Sequence, residues 1–174
     1  MKSLLEQLGK FQDMPMSLPP LADWNPELSG VMDMTIKANG DWLHEGEVIH
    51  RERLVRLFST ILRKEEDGYF LVTPVEKWQI QVEAHPFIIS LAQTTKIEHG
   101  SQVIRVVTNV GDEFEIGANH RLVSHEGSVP YIEVRDGLTA ILGRNVYYQL
   151  VESAYERSDG SYCIDSNGES YVIG

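Results

Sequence analysis

Residues 71–78, Leu-Val-Thr-Pro-Val-Glu-Lys-Trp, crowd the chain's most varied side chains into one short stretch. Pro74 has no amide hydrogen for a ladder, so it interrupts a strand and forces a bend or bulge. That bend gathers Thr73, Glu76, Lys77 and Trp78 at one irregular spot. An indole face, an ammonium and a hydroxyl so placed suit stacking on a base and holding a phosphate. The same residues equally make a plain structural bend with a Glu76–Lys77 surface pair, and the pattern alone leaves both readings open.

Three arginines are the next candidates. Arg51 and Arg135 each open a predicted helix, where the macrodipole prefers negative charge. Two such placements in matching positions invite an explanation. One is a buried salt bridge between domains. The other is an anionic ligand held by guanidinium and free helix N–H groups together. Arg144 falls in the middle of the second predicted helix, just before Tyr147 and Tyr148, and is expected to line the same cleft.

Other chemistry is not visible in the spacing. Gly-x-Gly-x-x-Gly, the phosphate-loop Gly-Lys-Ser/Thr, His-Glu-x-x-His and Gly-x-Ser-x-Gly are all missing. No catalytic residues are therefore assigned. The six histidines (44, 50, 85, 99, 120 and 125) share no face that would hold a metal, so no metal and no cofactor are expected. Glu45 and Glu47 read as a solvated loop. Glu65-Glu66-Asp67 reads as an acidic run at a helix C-terminus, an unfavourable place for it. The single cysteine, Cys163, allows no internal disulfide and no cysteine-based zinc site.

Period-two alternation places strands at 31–37 and 78–84, with Asn39-Gly40-Asp41 as a hairpin turn. Residues 50–64 carry Leu54, Leu57, Phe58 and Ile61 at helical spacing, and Asp67-Gly68 ends that helix. From residue 86 the pattern is mostly β, with candidates at 86–92, 102–108, 113–117, 121–124 and 129–134. A second helix is expected over about 136–153, with Leu138, Ile141, Leu142, Val146 and Leu150 inward, then a hairpin around Asn167-Gly168. Residues 1–13 read as an amphipathic helix on Leu4, Leu5, Leu8 and Phe11, followed by three prolines.

The charge balance is −11, from 15 basic and 26 acidic residues in 174, and it is spread over both halves. Such a chain repels phosphate backbones and anionic lipid heads, so neither nucleic acid nor membrane is expected as a partner. No stretch has the length of a signal peptide or a bilayer span, and a cytoplasmic location is the default expectation. The expected divisions are an arm at 1–20, an α+β domain at 21–84 and a β-rich domain at 85–174.

The two helical regions share a setting. Strand, Arg51-x-x-Leu54, helix and Asp67-Gly68 are answered by strand, Arg135-x-x-Leu138, helix and Asp159-Gly160. Read as a duplication, this makes two similar halves, and a cleft between halves is a natural ligand site.

An ordered set of short motifs then points further. Asp33-Met34-Thr35-Ile36, Gly40-Asp41-Trp42, Glu45-Gly46, Arg51-x-x-Leu54-Val55-x-Leu57-Phe58-Ser59, the 71–77 stretch, Pro130-Tyr131-x-x-Val134-Arg135, and Arg144 with Tyr147-Tyr148-x-Leu150-Val151 together resemble the bacterial family called domain of unknown function 1285. The resemblance covers roughly residues 20–174. It implies a duplicated α+β core whose C-terminal half is like a pleckstrin homology (PH) fold. It also implies a ligand site at the domain interface, for a nucleotide-like molecule, and a loose link to signal transduction.

The expected function is thus a non-enzymatic binding or signalling module for a small anionic, nucleotide-like ligand. Arg51, Thr73, Glu76, Lys77, Trp78, Arg135, Arg144 and Tyr148 are its candidate contacts. The alternative is a protein–protein or self-association module, such as a homodimer, using the PH-like half and the N-terminal arm.

Overall fold

The computed structural model describes residues 17–174. The helix expected within residues 1–13 lies outside the described residues. The chain divides into two compact units, with the boundary between Ala84 and His85. Both are β-rich, and among the described residues there are two α-helices of nine residues each.

Unit 1 contains β1 (Leu28–Ile36), β2 (Trp42–His44), β3 (Glu47–Val48), α1 (Glu52–Thr60), β4 (Leu62–Glu65), β5 (Gly68–Val72) and β6 (Lys77–Val82). They form one six-stranded sheet in the order β3-β2-β1-β6-β5-β4. Two antiparallel meanders meet at a central parallel pair, β1 with β6. Met32, Met34 and Ile36 alternate inward along β1, and Trp42 stacks on Phe58 of α1 with ring centroids 6.2 Å apart. That stack fastens the helix to the sheet.

Helix α1 is shorter than its 50–64 pattern suggests. The Ser59 and Thr60 hydroxyls donate to the carbonyls of Arg56 and Leu57, at 2.6 and 2.7 Å, and close the last turn. Residues 62–65 then pair with β5 as a strand, and Asp67-Gly68 belongs to the hairpin between them. Glu65 is accordingly a strand residue, and the conflict with a helix dipole does not arise.

Unit 2 contains β7 (Phe87–Lys96), β8 (Gln102–Thr108), β9 (Glu113–Glu115), β10 (Leu122–Val123), β11 (Tyr131–Arg135), β12 (Leu138–Leu142), α2 (Arg144–Glu152), β13 (Tyr155–Glu156), β14 (Tyr162–Ser166) and β15 (Glu169–Val172). The order β10-β11-β12-β7-β8-β9 again joins two meanders through a parallel pair, β12 with β7. Strands β13–β15 form a separate three-stranded sheet. Buried Ser166 ties β14 to the larger sheet. Its hydroxyl accepts from the Ile104 amide at 2.9 Å and donates to the Ile116 carbonyl at 2.7 Å.

The second helix also differs from expectation. Residues 136–137 form a tight turn with positive φ at Asp136 (44°) and Gly137 (77°), and 138–142 are strand. Leu138, Ala140 and Leu142 bury at period two, while Leu138, Ile141 and Leu142 also satisfy a helical period, so the short run fits both. Helix α2 begins only at Arg144. Its N-cap, Gly143, donates to the Ile89 carbonyl at 2.9 Å, and a Cβ there would lie 2.6 Å from that oxygen.

The two units are thus similar β-rich threadings, consistent with duplication. The residue-by-residue match proposed from sequence fails, however. Arg51 precedes a helix, whereas Arg135 ends a strand. Asp67-Gly68 lies in the six-stranded sheet, whereas Asp159-Gly160 joins β13 to β14.

Candidate functional site

In unit 1 the bend at Pro74 is a tight connection between β5 and β6. The Thr73 amide donates to the Glu76 carbonyl at 2.9 Å, and the Glu76 amide donates to Thr73 Oγ1 at 3.1 Å. Thr73 is buried, and its hydroxyl holds the turn. Lys77 points to Glu65 (Nζ–Oε2 3.1 Å) and lies over the Phe70 ring at 4.9 Å, so the surface pair expected with Glu76 is not formed. Trp78 packs against Gly30, where a Cβ would sit 3.3 Å from the indole. The Trp78 Nε1 and one Glu76 carboxylate oxygen are buried without a hydrogen-bond partner.

Arg63 completes this cluster, and the sequence reading missed it. Its Nε donates to Glu65 Oε1 at 2.9 Å, and its Nη1 donates to the Trp24 and Leu21 carbonyls at 2.7 and 3.3 Å. Burial alone would push the Glu65 carboxyl up. Hydrogen bonds and positive charge from Arg63 and Lys77 outweigh it and hold that carboxyl below its ordinary range. The triad therefore pins residues 21–24 to the sheet.

In unit 2, Arg135 is not at a helix start. It ends β11, pairs with Asp112 at 2.6 Å and lies 5.2 Å over the Phe87 ring. The salt bridge expected between domains is one within unit 2.

Arg51 and Arg144 behave differently. Both are exposed. Arg51 is the N-cap of α1, and Arg144 is the first residue of α2 rather than a mid-helix residue. Neither helix has a side-chain cap, and neither arginine has a carboxylate partner among the described residues. The Arg144 guanidinium lies 5.8 Å over Tyr148, one turn on, and Tyr148 is itself half exposed and 5.9 Å from Tyr147. Of the eight candidates, Thr73, Glu76, Lys77 and Trp78 fall together in unit 1 and Arg144 and Tyr148 together in unit 2, while Arg51 caps α1 and Arg135 pairs with Asp112.

Among the described residues no three His, Cys, Asp or Glu side chains are placed to hold a metal. No described helix is long and apolar enough to cross a membrane.

Two β-rich units of matching strand order, each with one nine-residue α-helix among the described residues, are consistent with duplication, and comparison with known proteins agrees with it. The domain of unknown function DUF1285, N-terminal domain, matches residues 19–85, and the DUF1285 C-terminal domain matches residues 86–173. The chain belongs to the DUF1285 family. A crystal structure of a DUF1285 family protein from Silicibacter pomeroyi DSS-3 is 34% identical, with a TM-score of 0.82 over 95% of this chain and 93% of that one. A second, from Shewanella baltica OS155, is 32% identical, with a TM-score of 0.56 over 70% of this chain and 92% of that one. No curated protein matches.

Proposed function

We propose that the protein is a non-enzymatic binding module for a small anionic, nucleotide-like ligand, engaged first through Arg144, Tyr148 and the start of α2. The observation that carries this reading is how the cations are committed. Lys77 and Arg135 already neutralise Glu65 and Asp112 inside their own units. Arg144 instead stands exposed against the dipole of an uncapped helix, stacked on an exposed ring. An anion there would relieve the unfavourable arginine placement, receive the first-turn N–H groups and leave Tyr148 for a base. Arg51 offers the same arrangement at α1, without the ring. The first six strands of unit 2 followed by α2 support a PH-like reading of that half, and the parallel β7–β12 pair and the β13–β15 sheet are its elaborations.

A thermal-shift series with inorganic phosphate and with mono-, di- and cyclic nucleotides tests this. Ligand at about 100 times its Kd adds about 2.7 kcal/mol, a readily measured rise in Tm. Arg144→Ala removes the shift. No shift from any nucleotide at millimolar concentration overturns the reading. The rival reading, self-association, draws on the exposed Leu28, Val31 and Val75 side chains. A concentration-dependent dimer by light scattering, with no nucleotide effect, favours it instead.

A further inference from the structure

The β7–β8 hairpin of unit 2 has two outer edges, and the fold treats them differently. Its bond pattern fixes which backbone groups lie on each. The Ile97 amide donates to the Ser101 carbonyl at 2.8 Å, so Ile97 faces β8. Alternation through the Thr95–Val103 and Gln93–Arg105 pairs turns Thr95 and Gln93 to β8 as well, and Ala92, Thr94 and Lys96 away from it. On β8 the groups turned outward are those of Gln102 and Ile104, and these are capped. The Gln102 carbonyl accepts from the Asn167 amide at 3.1 Å, the Ile104 amide donates to Ser166 Oγ at 2.9 Å, and the Ile104 carbonyl accepts from the Ile116 amide at 2.9 Å.

The β7 edge is capped only at its start. Strand β12 pairs with residues 87–89 alone, and the Gly143 amide closes that ladder on the Ile89 carbonyl. The Gln149 side chain of α2 then donates to the Ala92 carbonyl at 3.1 Å. Thr94 and Lys96 follow, both exposed, and no group among the described residues bonds their outward amides and carbonyls. An uncovered edge reading Thr-Thr-Lys-Ile is a template for one more strand.

Register selects the occupant. A second copy brings the same bare edge, so pairing covers both at once, whereas a foreign segment covers one. Antiparallel pairing about a two-fold axis joins outward residues to outward residues. Thr94 facing Thr94 would need the Ala92 carbonyl, which Gln149 already holds. Lys96 facing Lys96 would set like charges directly opposite, which is destabilising. The register between them, Thr94 opposite Lys96 of the second copy, avoids both. It makes about four backbone hydrogen bonds, brings the two Thr95 side chains together on the axis and sets the half-exposed Ile97 beside Gln93.

We infer that residues 93–97 of β7 pair antiparallel with the same residues of a second copy, in a weak dimer joined by one continuous sheet. The ladder is too short for a standard-sized interface, hence the weakness. It uses none of the unit 1 residues named for the rival reading above.

Mild oxidation of Thr95→Cys in the full chain tests this. No nucleotide is present, so the outcome is independent of the anion reading. Across the axis the two position-95 Cα atoms lie about 4.5 Å apart, within disulfide range, while position 93 lies about 14 Å from its own copy. The native Cys163 is fully buried and does not compete. Thr95→Cys is expected to form a cross-linked dimer at least about tenfold faster than Gln93→Cys. Adding Thr94→Pro, which removes an outward amide and no bond to β8, is expected to lower it to the Gln93→Cys rate, with circular dichroism unchanged. Equal rates at positions 93 and 95, or fast cross-linking untouched by Thr94→Pro, overturns the proposal. Equal rates with a monomer by light scattering would assign the edge to an extended segment of another protein instead.

Discussion

Unit 1 and unit 2 thread six strands through the same order, yet they spend their helix differently. In unit 1 the helix sits between the two meanders, after β3. In unit 2 it follows the sixth strand, and a further sheet follows it. Their half-buried cations differ too. Unit 1 uses a triad, Arg63–Glu65–Lys77, to pin an incoming segment, while unit 2 uses one pair, Arg135–Asp112. The similarity between the units therefore resides in strand pairing and not in matching charged residues.

All three tryptophans, Trp24, Trp42 and Trp78, lie in unit 1, so tryptophan fluorescence reports that unit while circular dichroism reports both. This allows the comparison to be broken one side at a time. The largest effect is expected from Phe58→Ala, which empties the stack under Trp42 and costs about 3–5 kcal/mol. It should move the fluorescence midpoint of denaturant unfolding. Leu150→Ala, which unfastens α2, should cost about 2–4 kcal/mol. It should shift the dichroism midpoint and leave the fluorescence midpoint in place if the units unfold independently. Coincident midpoints in both variants would mean one cooperative molecule.

Smaller effects sharpen the contrast. Ser166→Ala strands the buried Ile104 amide, while the Ile116 carbonyl keeps its bond from Asn167 Nδ2, and should cost about 1–3 kcal/mol, read in the same unfolding curves. Glu65→Gln should cost about 1–2 kcal/mol and loosen residues 21–24, seen as faster proteolysis near Leu21. The Glu65 carboxyl is held below its ordinary range when folded, so its contribution is complete above the unfolded pKa and is lost as pH falls through the folded one. The acid limb of the stability curve should therefore flatten in Glu65→Gln. Tyr171 gives the opposite sign. Burial first, then its hydrogen bond to Glu169, pushes the phenol up to about 12. Its share of stability is complete below the unfolded pKa near 10 and is lost as pH rises towards about 12. Tyr171→Phe should flatten the alkaline limb.

Much of this fold could be read from residue pattern. The Asn39-Gly40 and Asn167-Gly168 turns and the 102–108 strand appear in the structure, and the alternation read over 78–84 appears as the strand Lys77–Val82, which ends before Ala84. The errors have physical causes. Residues 138–142 satisfy two periods at once, so only the positive φ at Asp136 and Gly137 shows that a strand begins there. Residues 62–65, Leu-Arg-Lys-Glu, are good helix formers that tertiary pairing with β5 turns into strand. At the candidate site the residue types were legible but their partners were not. Lys77 finds Glu65 twelve residues back, and Arg135 finds Asp112 twenty-three residues back. Only the strand register brings them together, and Arg63 had no local signal at all.

The proposed function rests on an anion engaging the start of α2. Backbone amide shifts followed by nuclear magnetic resonance during titration with nucleotides address it most directly. The account predicts saturable changes clustered at residues 143–148, lost in Arg144→Ala, with the 73–78 turn unmoved. Flat spectra at millimolar ligand, or changes confined to Lys77 and Arg135 with α2 silent, would contradict it.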